Sequence, residues 1–335
     1  MLPRYQARFS ASLIAIFLLG MSIAHAAGTY DPAIEWRTIH SPRFAVHYPD
    51  GARNLGVRIS RIAEDVLDDV TTLFGFVPDG TIEIVLSDAV DFANGSAQVM
   101  PKNILRLYVS APTELTGLSS YEDWLRILLI HEISHIADID QTWGLARVAR
   151  WIFGKYIAMN GFSPQFFTEG VAVYAETLLT STGRGRSTYV DMLLRTAAYE
   201  DKFLSIDQAN ILFSDWPGPS SAYYYGGRFH LWLAEKFGQD KVRDLHQFNA
   251  SMPFPYIYWP GAMWEFGEDL PTLWDEWRDE LKQKSQELKA TLDKKGITKS
   301  RRITHHGRNI SGTKYSPDGS YILYSRSSPI DGATV

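Results

Sequence analysis

The residues best equipped for chemistry are His131-Glu132-Ile133-Ser134-His135. They follow the apolar run Trp124 to Ile130, which predicts a buried helix. On a helix, positions i and i+4 share a face about 6 Å apart, so the two imidazoles can ligate one Zn²⁺ from neighbouring coordination sites. Glu132 lies beside them, where it can take a proton from water at the metal. With 9 histidines in the chain, an H-E-x-x-H pattern arises by chance with a probability on the order of 0.01. Unpartnered His and Glu on an apolar helix would also be costly to bury.

A catalytic zinc takes three protein ligands. A third histidine six residues beyond His135 would mark one metalloprotease class. That position is Gln141, and Asp138 stands where that class has glycine. The best third ligand is Glu169, in the stretch Phe166 to Glu176, which opens after Pro164 and reads as a second apolar helix with Glu169 in its first turn. A carboxylate among Phe and Val needs a partner, and a cation provides one. Glu176, seven residues on, shares that face and is the alternative ligand or a carboxylate behind the ligands. Gly170 allows another backbone to come close. Asp138, one turn past His135, is placed to orient a ligand histidine through its far nitrogen, or to stand as a solvated acid.

These residues need a scaffold. Phe44 to Tyr48, Thr81 to Leu86 and Ile104 to Val109 read as strands, with Asn94 to Ala97 as a turn or edge segment. Leu55 to Phe74 has the period of an amphipathic helix, ended by Gly75. From Tyr121 the pattern is helical: 121–140, 145–159, 165–179, 188–199, 222–237 and 271–292. Strands first and helices afterwards predict an α+β domain over 27–293 whose N-terminal sheet is mixed. Residues 294–302 read as a linker, and Tyr315 to Ser325 carries a Pro-Asp-Gly hairpin signal within 303–335. The apolar stripe at 146–162, mixed with Arg147, Arg150 and Lys155, reads foremost as core, with a cleft cover or a membrane-touching face as the other readings. Phe254 to Phe266 reads as an aromatic loop.

Composition removes several classes. The chain has no cysteine, which excludes disulfides, thiolate metal sites and cysteine nucleophiles. Net charge is −5, so there is no basic footprint for nucleic acid. Arg4 and Arg8, the apolar run Leu13 to Gly20 and Ala24-His25-Ala26 predict a signal peptide at 1–26. The mature chain is expected to be exported to a bacterial periplasm, with no transmembrane span.

H-E-x-x-H followed by E-G-x-A-x-Y resembles the gluzincin metallopeptidases, and specifically the bacterial peptidase-MA-like group, over roughly residues 40–290. Residues 303–325 resemble the first repeat of the bacterial β-propeller module that such proteins often carry. The resemblance implies a zincin-type helical lobe, then the start of a propeller. It implies His131, His135 and Glu169 as zinc ligands, Glu132 as general base, and peptide or protein as substrate, with a propeller contact within the chain. Related gluzincins also place a tyrosine on a later helix to support the oxyanion. Tyr223 is the first candidate here and Tyr224 the next, before Gly226-Gly227-Arg228. Phe166 replaces the usual Trp three residues before the glutamate. The resulting expectation is a secreted zinc metallopeptidase. The competing expectations are a catalytically silent scaffold of the same fold and a zinc amidase acting on a cell-wall amide.

Overall fold

The computed structural model describes residues 33–88, 90–91, 93–112, 123–210, 217–218, 220–254, 259–305, 309–328 and 332–334. The expected signal peptide lies outside the described residues. Among the described residues no helix is long and apolar enough to cross a membrane.

The N-terminal part is a five-stranded mixed sheet in the order β1-β2-β3-β5-β4. Its strands are β1 (Trp36–His40), β2 (Phe44–Pro49), β3 (Ile82–Ser87), β4 (Asn94–Gln98) and β5 (Ile104–Tyr108). The three central strands run parallel, and both outer strands, β1 and β4, are antiparallel to their neighbours. Helix α1 (Arg53–Phe74) makes the crossover from β2 to β3. It buries Ile59, Ala63, Val66, Leu67, Val70 and Phe74, and ends on Gly75 at φ 64°. The segment at 94–97 is thus an edge strand rather than a turn.

Helix α2 (Trp124–Asp140) starts where the Asp123 side chain accepts from the Leu125 and Arg126 amides. Among its residues, Leu125 and everything from Ile127 to Asp138 are buried, so it is a core helix and not an amphipathic surface one. It packs on α1, on β4 and on α4 (Gln165–Leu179). The remaining helices are α3 (Gly144–Phe153), α5 (Thr188–Tyr199), α6 (Ser221–Phe237), α7 (Gln239–Ser251), α8 (Trp259–Phe266) and α9 (Leu270–Lys295). Buried Trp274 of α9 anchors an aromatic cluster with Phe229, Phe166 and Tyr225, at ring separations of 4.8, 5.5 and 5.9 Å.

Helices α4 and α6 meet backbone to backbone. A Cβ on Gly170 would lie 2.7 Å from the carbonyl carbon of Gly226, and one on Gly226 would strike the Phe166 carbonyl. Only glycine fits at both positions, which brings Glu169 and Tyr223 to the same end of the pair.

Two expectations change. The stripe on α3 is not core: Leu145, Val148, Trp151, Ile152 and Phe153 are exposed. The aromatic segment near 254–266 forms α8 over its second half. At the C-terminus the chain forms a three-stranded antiparallel sheet of β6 (Asn309–Tyr315), β7 (Ile322–Ser328) and β8 (Gly332–Thr334). The Pro-Asp-Gly turn joins β6 to β7, and a propeller as such is not seen among the described residues.

Candidate metal centre

The cavity that His131 lines has a volume of about 430 Å³. Its walls are α2 (His131, Glu132, His135), α4 (Glu169, Glu176), edge strand β4 with Ala93, and the start of α6 (Tyr223, Tyr224).

Three donor atoms converge there. His131 Nε2 and His135 Nε2 are 3.1 Å apart, and Glu169 Oε2 lies 3.2 Å from each. Four tetrahedral donors at 2.0–2.1 Å from a zinc ion are separated by about 3.3–3.4 Å, so this triangle matches one face of such a site. The proton arrangement points the same way. His131 Nδ1 lies 2.7 Å from Glu176 Oε1, an acceptor, so this nitrogen carries the proton. Arg184 Nη2, 2.8 Å from the same nitrogen, is itself a donor and finds its acceptor in Glu176. In neutral His131 the Nε2 lone pair therefore faces the Glu169 carboxylate, and a cation resolves that opposition. The donor set of two imidazoles and a carboxylate suits zinc. Among the described residues this is the one group of three or more such side chains close enough to hold an ion.

Charge follows this geometry. With no ion, burial and Arg184 pull the His131 pKa down, but Glu169 and Glu176 outweigh them and raise it to about 9. Burial pushes the Glu176 carboxyl up, yet Arg184 and His131 hold it at about 2. Glu169 sits well below the ordinary carboxylate range, because His135 and His131 overcome its burial. The pocket prefers a positive charge between its histidines and carboxylates.

Glu132 stands apart from this triangle. Burial raises its pKa above the ordinary value. Among the described residues its buried Oε2 has no hydrogen-bond partner. Strand β4 presses against it: a Cβ on Gly95 would lie 2.5 Å from Glu132 Oε1. Glycine at this strand position is what admits the carboxylate between sheet and helix.

The three tyrosines separate. The Tyr223 ring stacks on His131 at 6.1 Å, with the Arg184 guanidinium 4.8 Å from its centroid. Burial, then the charge of Glu169, raises the Tyr223 phenol pKa, so it remains a donor. Tyr224 also lines the cavity but meets Tyr189, at 6.3 Å. Tyr225 is in the core, its hydroxyl accepting from the Leu204 amide at 3.4 Å.

Two details depart from the sequence reading. Among the described residues Asp138 makes no hydrogen bond to a site histidine; its Oδ1 accepts from His246 Nδ1 (2.7 Å), Asn160 Nδ2 (2.9 Å) and Gln141 Nε2 (3.1 Å). The helical rotation from His135 to Asp138 carries this carboxylate to α7 and away from the cavity. Glu169 is the fifth residue of α4, past the first turn, and reaches the histidines from the side of the helix rather than its end. Sequence reasoning missed Arg184 as a partner of the site and His246 as the partner of Asp138.

No protein-family model matches the chain, and no curated protein sequence matches it. Among solved structures it is similar to a mutant two-domain M1 zinc metallopeptidase bound to L-tryptophan, at 14% identity and a TM-score of 0.41, over 73% of this chain and 51% of that one. An M1 zinc metallopeptidase mutant from Deinococcus radiodurans bound to a Tyr-Ser-Ala substrate gives 14% and 0.40, over 73% and 51%. Yeast LTA4 hydrolase in complex with bestatin gives 13% and 0.40, over 81% and 41%. The chain thus spans about half the length, or less, of these structures.

Proposed function

We propose that the protein is a zinc-dependent peptidase, with His131, His135 and Glu169 holding the ion and Glu132 as general base. One observation carries this reading: three metal-donor atoms within 3.2 Å of one another, beside a buried carboxylate that takes no part in their triangle. A zinc ion held there supplies Lewis acidity, acidifying water and polarising a carbonyl. Glu132, its pKa raised by burial, accepts the proton of the attacking water and passes it to the leaving nitrogen. The Tyr223 hydroxyl donates to the developing oxyanion, with Tyr224 as the next candidate. Glu176 fixes the His131 ring through Nδ1. An extended substrate adds as a strand along β4, the outer strand of the sheet on the cavity wall.

The leader pattern at 1–26 supports export to a bacterial periplasm, and the sheet at 309–334 is read as the opening of a propeller-like module. The test pairs metal analysis with Glu132→Gln. About one zinc per chain, retained in the variant while peptide turnover falls about 10²-fold or more, is the expected result. Turnover at the parental rate in Glu132→Gln, or no metal in the parent, overturns the reading. A zinc-loaded parent inert on peptides but active on purified peptidoglycan would make it an amidase; one inert on both would make it a scaffold.

A further inference from the structure

Helix α3 is packed inside out. Its buried side chains are Ala146 and Arg150, while Leu145, Val148, Trp151, Ile152 and Phe153 point outward, followed by exposed Tyr156. Trp151 is 87% exposed. A surface helix of a soluble protein ordinarily turns the opposite way.

This orientation is fixed. Arg150 donates to the Asp140 carbonyl at 2.9 Å and pairs with the buried Asp140 carboxylate. Lys155 reaches the same carboxylate at 3.0 Å. The Trp143 amide binds the Ala250 carbonyl, tying the start of α3 to α7. Rotating the apolar face inward would break a buried ion pair and strand Asp140. None of the outward residues lines the cavity that holds His131, so the face is not a wall of that site.

Its chemistry indicates what covers it. The chain has 38 Asp and Glu, yet none falls between Asp140 and Glu169. Arg147 is the charged side chain exposed on α3. Large aliphatic side chains, Trp and Tyr rings at one end, a cation and no acid are the features of a helix lying flat at the headgroup boundary of an anionic membrane. A ten-residue helix is too short to span a bilayer but long enough to lie in its surface.

We propose that α3 lays its outward face on an anionic lipid bilayer, holding the protein at a membrane surface. This does not depend on the peptidase reading. The test is flotation of the full chain with vesicles of phosphatidylethanolamine and phosphatidylglycerol at 3:1, beside vesicles of phosphatidylcholine alone. The double substitution Trp151→Glu with Phe153→Glu changes two exposed positions, and circular dichroism checks that its fold is kept. The parent should float with the anionic vesicles and bind phosphatidylcholine more weakly. The double variant should lose about 100-fold in partition, since each large apolar side chain transferred is worth about tenfold or more. Arg147→Glu should also weaken binding to the anionic vesicles. The proposal falls if the parent stays in the soluble fraction or binds both lipids equally. It falls equally if the double variant floats like the parent, which would put the attachment elsewhere in the chain. A parent that elutes as a dimer which the double variant dissolves assigns the face to a second copy and overturns the proposal.

Discussion

Replacing Glu176 by glutamine keeps the shape of a fully buried side chain and removes its charge. Two consequences follow from its contacts. Arg184, whose side chain is 16% exposed, keeps its guanidinium but loses its anion. Removing one partner of a buried pair costs about 3–5 kcal/mol. The residual exposure of Arg184 and its stacking over Tyr223 reduce this to about 2–3 kcal/mol. In a chain of 335 residues that is a fall in Tm of about 3–4 °C. The second consequence concerns the ion. His131 Nδ1 would donate to a neutral amide oxygen instead of a carboxylate, and loss of such a supporting group weakens metal binding by about 10–100-fold. Thermal melts of the metal-free chain read the first effect, and competition against a zinc chelator reads the second. Zinc affinity within about twofold of the parent, with an unchanged melt, would refute the assignment of Glu176 as the group that holds the His131 ring.

Three further outcomes are expected. Gly95→Ala forces a Cβ against Glu132 and should lower kcat by about tenfold or more while leaving zinc content unchanged, as metal analysis beside steady-state kinetics would show. Tyr223→Phe should lower kcat by about 10²-fold and Tyr224→Phe much less; equal losses would contradict the placement of Tyr223 over His131. In the metal-free chain the His131 pKa rises from 6.5 to about 9, so its stabilisation is full below pH 6.5 and is lost as pH climbs through about 9, while zinc affinity rises across the same window because the ion displaces that proton. A flat affinity between about pH 6.5 and 9 would contradict this charge balance.

Helices α1, α2, α4, α5, α6 and α9 and strands β2, β3 and β5 were readable from period and end signals, and so were the motif on α2 and the carboxylates on α4. The rest was hidden for identifiable reasons. Strand β1 is mostly exposed, so the loose alternation over 34–48 does not mark a buried face there. Helix α7 buries one stripe at helical spacing, but two of its five buried residues are the polar His246 and Asn249, and α8 mixes aromatics with a proline and a glycine, so the apolar signal of each is weak. Asp138 finds His246 across 108 residues of sequence, a pairing no local pattern records. The outward face of α3 is the sharpest case. Its pattern is that of any amphipathic helix, and the contacts of Arg150 and Lys155 with Asp140 and of Trp143 with Ala250 decide which side is buried.

The contact of Gly170 with Gly226 has a mechanical consequence. Packed helices slide on a compliant layer of side chains, and between α4 and α6 that layer is missing at this point. Backbone rests on backbone, and shear of even a fraction of an ångström meets hard repulsion. The contact resists sliding of the two helices and so helps hold Glu169 and Tyr223 in register at the same end of the pair. On the opposite wall Gly95 of β4 meets the Glu132 side chain and not backbone, so that contact is the more compliant of the two.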